Sequence, residues 1–231
     1  MNSFKSIYSD NSYLEKNKGW HQEDSDWKFK NIIKVLENTK YKSIADVGCG
    51  AGKILENFYN RDPSLNLNGY DISDNIQDFW ASKPAEINFH TIDFLTLDVK
   101  YDLTLLIDVF EHVEDYYLFL RKLSTKSEYF VFHIPLDMFV LAGLTNNYKR
   151  KKENLGHLHY YDYNTALGVL NDTGYNILNF NFAKTYLQAD TKENNKLRIL
   201  RKVGEFFLGV KYNSLIFGGY HLVVLCNKKE I

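Results

Sequence analysis

Two groups of residues in this chain have the types and spacing to do chemistry. The first is a glycine turn, Asp46-Val47-Gly48-Cys49-Gly50-Ala51-Gly52, set between the apolar run Ile44-Ala45 and the resuming apolar pair Ile54-Leu55. Glycines are needed where backbone adopts positive φ or lets a ligand come within contact distance. Single acids also close later apolar runs, at Asp71, Asp93 and Asp108. A carboxylate at the end of a strand can accept hydrogen bonds from a pair of sugar hydroxyls; the structural alternative is capping of the next helix. The second group is imidazoles beside carboxylates: Asp108-Val109-Phe110-Glu111-His112 and Gly156-His157-Leu158-His159-Tyr160-Tyr161. Imidazole titrates near neutrality, so a positioned histidine can take a proton from a substrate. The alternatives are histidines satisfied by backbone carbonyls and an acid favoured at a helix start.

The elements that must position these residues alternate along the chain. Apolar strand patterns near 43–47, 65–73, 86–94 and 101–107 are separated by helical patterns at about 26–39, 54–59 and 74–81. Leu103 to Ile107 is nearly all apolar, as a strand buried on both faces should be. A helix near 114–123 and a strand at 127–134 continue the alternation, which then breaks at 136–160. A helix from Asn164 to Asn171, a strand from Tyr175 to Tyr186, a basic helix at about 192–208 and a strand at 220–229 complete the chain. Such alternation predicts an α/β fold with a mostly parallel, doubly wound sheet, whose ligands bind at the carboxyl ends of the strands. The basic helix shows no long apolar stripe behind its polar residues and reads as a solvated or contact face. The 156–161 stretch reads as extended, with His157 and His159 on one face. Residues 1–40 form an N-terminal segment and first helix, with Trp20 and His21 as lid candidates or as a helix cap and packed ring. Residues 41–231 form the domain, with a substrate-side insertion at about 136–160.

Composition narrows the classes. Net charge is −1 over 231 residues, so no global field draws in nucleic acid or an anionic membrane. No apolar run is long enough to span a bilayer and the first residues lack a signal-peptide core, so the expected location is cytoplasmic. Cys49 and Cys226 are far apart in sequence and read as buried free thiols.

The glycine spacing is D-x-G-x-G-x-G, with Lys53 after it, not the G-x-G-x-x-G of a pyrophosphate-binding dinucleotide site. This pattern resembles motif I of the class I S-adenosylmethionine-dependent methyltransferases. The resemblance is specific over about 43–135 and looser over 156–229. It implies a Rossmann-like sheet of seven strands with helices on both faces, S-adenosylmethionine as cofactor and S-adenosylhomocysteine as product. By that resemblance the cofactor lies against Asp46, Gly48, Cys49 and Gly50, its ribose meets Asp71 beside Ile72, and its adenine meets Asp93 and Phe94. Asp108 and Val109 complete the expected cofactor set. The run D-V-x-E-H-V resembles ubiquinone-biosynthesis-type and related small-molecule methyltransferases, and Gly156-His157 with Tyr161 resembles a G-H-x-x-x-[FY] segment of the same broad group. Some relatives carry E-x-x-E-H and bind a divalent metal; Asp108 stands in place of the first Glu, and no metal is expected.

The function this implies is O-methylation of a small-molecule hydroxyl, such as a sugar or related polar metabolite. Histidines 112, 157 and 159, that is His112, His157 and His159, are the candidate bases. His133 reads as structural; His90 is set aside as lying within the third strand, away from the strand-end rim, and His221 as lying at the start of the last strand. The tetrapeptide that marks amino methylation of nucleic-acid bases is absent, because Asp108-Val109-Phe110-Glu111 occupies its place. Expected partners are a small-molecule substrate and, as an open alternative, a second copy of the chain, with no nucleic acid and no membrane insertion. The competing class is a non-catalytic methyltransferase-fold subunit serving a partner protein.

Overall fold

A computed structural model describes residues 22–188 and 195–229. Its strands are β1 (Ser43–Val47), β2 (Asn66–Asp71), β3 (Ile87–Thr91), β4 (Tyr101–Ile107), β5 (Ser127–Pro135), β6 (Tyr175–Lys184) and β7 (Tyr220–Lys228). They form one seven-stranded sheet in the order β3-β2-β1-β4-β5-β7-β6. The first five strands are mutually parallel, and β7 runs antiparallel between β5 and β6. The predicted α/β class and the mostly parallel sheet of seven strands are both present.

Helices cover both faces. On one side α1 (Ser25–Val35) and α2 (Lys53–Arg61) bury Ile32, Val35, Leu55 and Phe58 against Leu103, Leu105, Val131 and Val223 of the sheet. On the other, α4 (Tyr116–Leu123) and α7 (Tyr163–Asp172) bury Leu120, Leu123 and Leu170 against Leu106, Phe130, Phe132 and Val224. Alternate residues of β5 and β7 thus serve opposite layers, the two-residue period of a strand made visible in packing. The α7 start is held by a capping box in which Asp162 and Thr165 exchange hydrogen bonds. Cys49 and Cys226 are buried free thiols.

Three stretches differ from expectation. The helix expected at 74–81 is a 3-10 turn, Asp74–Ile76, followed by the short α3 (Gln77–Trp80). The insertion at 136–160 contains two helices, α5 (Val140–Gly143) and α6 (Asn147–Leu155), the latter stopped by Gly156 in a left-handed C-cap. After it, 156–161 is a loop, not a strand. The amides of Leu158 and His159 both donate to the carbonyl of Glu111, so they are spent on another loop and no ladder forms. The last helix, α8 (Asn195–Phe217), is longer than expected and bends at Gly209, which takes φ 72°. Contrary to the sequence reading, it does carry an apolar stripe, exposed at Ile199, Val203, Phe206 and Phe207.

The first helix is a full layer of the domain, packed on β5, β6 and β7. Its polar anchor is Lys28, nearly buried, with Nζ 3.0 Å from Asp24 Oδ1 and 3.0 Å from Asp108 Oδ2 at the end of β4. Trp20 and His21, the lid candidates, lie outside the described residues. Removing one member of a buried ion pair strands the other and costs about 3–5 kcal/mol. Lys28→Ala is therefore expected to lower the unfolding free energy by about 3 kcal/mol in urea titration at pH 7. Lys28 and His133 hold the Asp108 carboxyl well below its ordinary range, against the opposing effect of burial. That stabilisation is present above the unfolded carboxylate pKa of ~3.9 and is lost as pH falls below it. The parent should lose stability steeply below about pH 4, and Lys28→Ala should show a shallower loss.

Candidate active site

The glycine turn is built by the carboxyl ends of β1 and β2. Gly48 and Gly52 both adopt φ 75°, a region costly for other residues. A side chain at Gly48 would also meet Val109 Cγ2 at 2.7 Å, so Val109 closes the turn from the β4 side. Gly48 and Cys49 donate their amides to the Tyr70 carbonyl at 2.7 and 3.1 Å. Asp71 then fixes the far side: its Oδ2 accepts from the Gly50 amide and its Oδ1 from the Ser73 amide, each at 3.0 Å. Trp80 Nε1 donates to the Gly50 carbonyl at 2.9 Å, with its ring stacked on Phe89. The turn is thus pinned at both of its peptide faces before any ligand arrives.

Asp46 lies beneath the turn at 1% exposure, and its Oδ1 has no hydrogen-bond partner. Burial, then the negative charge of Asp71, push its carboxyl up to about 7, with Lys28 opposing. Burial also raises Asp71, against the three amides that favour its ionised form. Beside them Ile72 is 66% exposed, an apolar surface at the end of β2. Asp93 caps a short 3-10 turn, accepting from the Leu95 amide at 2.9 Å.

Two residues of the expected cofactor set turn their side chains into the core. Phe94 is buried in the core with its ring against Tyr70, so it does not offer the expected apolar face at the rim. The Cys49 thiol is also buried, its Sγ 2.9 Å from where a side chain at Gly69 would begin, and burial raises its pKa. Its amide donates to the Tyr70 carbonyl of β2 and its carbonyl accepts from the Gly52 amide, so its backbone closes the turn while its side chain packs inward.

Asp108 sits at the end of β4 with φ 56°, an unusual conformation for a residue with a side chain. Its amide donates to the His133 carbonyl, and its two oxygens take Lys28 and His133, the latter at 2.7 Å. His221 comes within 3.7 Å of the same carboxylate and 3.3 Å of His133. Its setting aside fails for a simple reason: β7 is antiparallel, so its first residues reach the carboxyl rim, with Pro135 opposite His221. Burial pushes the His221 imidazole down to about 3, so it is neutral. Trp27 of α1 sets its ring edge-on to both His133 and His221.

The three candidate bases do not act as one group. His157 is buried, and its Nδ1 lies 2.8 Å from Asp137 Oδ2, while Lys151 holds Asp137 Oδ1 at 2.9 Å. His157 meets His112 edge to face at 4.8 Å, and His112 Nδ1 is 3.2 Å from the Gly156 carbonyl. His159 turns away: its Nε2 donates to the Val113 carbonyl at 3.0 Å and its ring packs on Tyr116. It tethers the loop, as the carbonyl-satisfied alternative describes. Beneath the pair, Glu111 is fully buried with no hydrogen-bond partner on either oxygen, and burial plus the charge of Asp108 raise its pKa well above normal.

Two clusters among the described residues have the donor set and proximity for a cation: Asp108-His133-His221 and Glu111-His112-His157. In the first, Lys28 already supplies the positive charge. Sequence reasoning missed Asp137, Lys28 and the His133–His221 contact. Asp137 carried the signal used for Asp71 and Asp108, an acid just beyond an apolar strand. Lys28 carried none, because its partner is eighty residues away.

Residues 20–179 match a family model described as a methyltransferase domain. The chain belongs to this family. It is a class I S-adenosylmethionine-dependent methyltransferase, with the seven-stranded sheet and the glycine turn that the motif led one to expect. No curated protein matches it. Similar solved structures include the plantazolicin methyltransferase BpumL in complex with S-adenosylhomocysteine, at TM-score 0.64 and 16% identity, covering 98% of this chain and 94% of that one. A chain from the complex of the Haloferax volcanii Trm112 methyltransferase activator with a methyltransferase aligns at TM-score 0.64 and 13% identity, covering 100% and 99%. Magnesium protoporphyrin IX methyltransferase from Synechocystis PCC 6803 with bound S-adenosylmethionine aligns at 0.55 and 15%, covering 98% and 89%. At these identities the likeness is one of fold.

Ionising Asp46 in its buried setting has a pH-dependent cost in the ligand-free methyltransferase. Its folded pKa, about 7, stands above the unfolded value, so the favourable protonated form is lost as pH rises through 7. Asp46→Asn is expected to raise the melting temperature at pH 8 and to change it little at pH 5, as calorimetry would read directly.

Proposed function

We propose that this methyltransferase methylates a hydroxyl of a small polar molecule, with His157 as the base. The supporting observation is the Asp137–His157 pair. A carboxylate on Nδ1 sets the tautomer and orientation of an imidazole and leaves Nε2 as its basic atom, as in hydrolase triads. That pair sits beside His112 in the insertion that follows β5, at the carboxyl end of the sheet, where ligands bind in open α/β folds.

The residues around the glycine turn fit the cofactor. S-adenosylmethionine, when bound, supplies an electrophilic methyl group. Asp71, already aimed by the Gly50 and Ser73 amides, is assigned to the ribose hydroxyls, and Ile72 and Asp93 to the adenine. Gly48 and Gly50 form the floor for the methionine part, with the partnerless Oδ1 of Asp46 beneath it. Asp108 and Val109 fix the β4 side of that floor. His157 then takes the acceptor proton, and the Asp137 carboxylate faces the imidazolium that results, with Lys151 holding the other carboxylate oxygen in place. Alignment of acceptor and methyl is the larger contribution, ~7–11 kcal/mol in favourable cases.

Two variants separate these roles. Asp71→Ala should weaken S-adenosylhomocysteine binding about tenfold to a hundredfold by calorimetry, the worth of hydrogen bonds to a charged acceptor. His157→Ala should leave that affinity unchanged and lower turnover roughly 10²–10⁴-fold. The assay is release of S-adenosylhomocysteine across a panel of sugars, phenols and amines. Turnover of an amine but no hydroxyl, or full rate in His157→Ala, would replace this reading with nitrogen methylation by alignment alone.

A further inference from the structure

The last helix is inside out. On α8, polar Arg201, Glu205 and Asn213 face the domain, while Ile199, Val203, Phe206 and Phe207 face solvent at 62, 48, 84 and 75% exposure. The inward polar groups are largely engaged within the domain: Arg201 donates twice to the Phe217 carbonyl, Asn213 donates to the Arg201 carbonyl while its Oδ1 has no partner, and Glu205 accepts from Lys184, Tyr186 and Tyr220. Surface helices normally show the opposite arrangement, apolar in and polar out. An outward apolar stripe of this size marks an interaction surface.

Its shape and charge indicate what it meets. The bend at Gly209 folds residues 210–217 back on 201–204, since a side chain at Gly204 would strike Asn213 and Phe217. Around Gly209 itself there is open space, so Phe206, Phe207 and Leu208 form a protruding tip. Lys196 and Lys202 lie within a turn of the stripe along the helix, Lys211 sets its Nζ over the Tyr163 ring of the domain, and Glu205, the helix's one carboxylate, is engaged on the inner side. A recess of about 330 Å³ opens beside Phe206, with Lys202 and the paired Lys184 and Glu205 on its walls. Nearby, α5 packs on α8 and exposes Val140 and Leu144.

We propose that this tip docks the enzyme on an anionic lipid bilayer, with Phe206 and Phe207 entering the interface and the lysines meeting the headgroups. Two signals, apolar insertion and a cationic rim, are what reversible interfacial binding requires. A second copy of the chain would oppose lysine rim to lysine rim, and a protruding tip needs a matching groove that a fluid interface does not. No helix among the described residues is long and apolar enough to cross a membrane, so the contact is peripheral. It departs from the sequence expectation because the deciding feature, which way α8 faces, is not visible in composition. The surface stands independently of the acceptor.

The test is flotation of the full chain with vesicles of equal phosphatidylglycerol and phosphatidylcholine, and with phosphatidylcholine alone. Binding is expected to the first and to be at least tenfold weaker to the second, and to fall at high salt. Phe206→Ser with Phe207→Ser should abolish it, and Lys202→Glu should weaken it at least fivefold, with S-adenosylhomocysteine affinity and melting unchanged because these side chains are exposed. Failure to float with anionic vesicles overturns the proposal, as does undiminished flotation of the double serine variant. A dimer in light scattering that the double variant splits, with no flotation of the parent, assigns the face to a second copy instead.

Discussion

The buried contact of Lys28 with Asp108 is the constraint on which the rest of this site depends. Asp108 occupies the junction where β4 ends, in a left-handed conformation that few residues with side chains adopt. One of its oxygens takes Lys28 from the first helix, and the other takes His133 from β5. Its neighbour Val109 closes over Gly48 of the glycine turn, and three residues on from Asp108 the Glu111 carbonyl receives the amides of Leu158 and His159. Displacing Asp108 would disturb the turn, the loop and the docking of α1 together. Desolvation on this scale is tolerated because each charge faces an opposite one at hydrogen-bond distance.

Much of the frame could be read from the chain because local pattern and global fold agree there. The apolar run Leu103–Ile107 became a strand buried on both faces, and the D-x-G-x-G-x-G spacing became a turn with the positive φ its glycines allow. Asp71 stood out as a strand-end acid for the same reason, lying one helix and one strand beyond a recognisable loop. Failures cluster where the answer depends on a distant residue. Phe94 looked like a rim residue, but Tyr70 and Tyr101 stand behind it and draw it into the core. His221 looked remote until the direction of β7 placed it at the rim.

The insertion shows the same limit in another form. His157 and His159 are two apart and would share a face in a strand, yet the loop they occupy has no ladder to impose that period. Each imidazole is set by its own partner, Asp137 for one and the Val113 carbonyl for the other. The spacing therefore said nothing of which histidine is presented and which is a tether. The outward face of α8 is the extreme case, because its polar residues are spent on partners twelve to twenty-one positions away.

The position of β7 bears on how such a chain is made. It leaves the ribosome after the other six strands, yet it belongs between β5 and β6. Until it arrives, β5 presents an unpaired edge lined by Phe130, Val131 and Phe132, and α1 lacks part of the surface it packs on. Exposed edges of that kind pair readily with other chains. Folding of the sheet therefore has to keep a five-strand stage, with this apolar edge open, from pairing wrongly until β7 arrives, and a chain cut between β5 and β7 would be left at that stage.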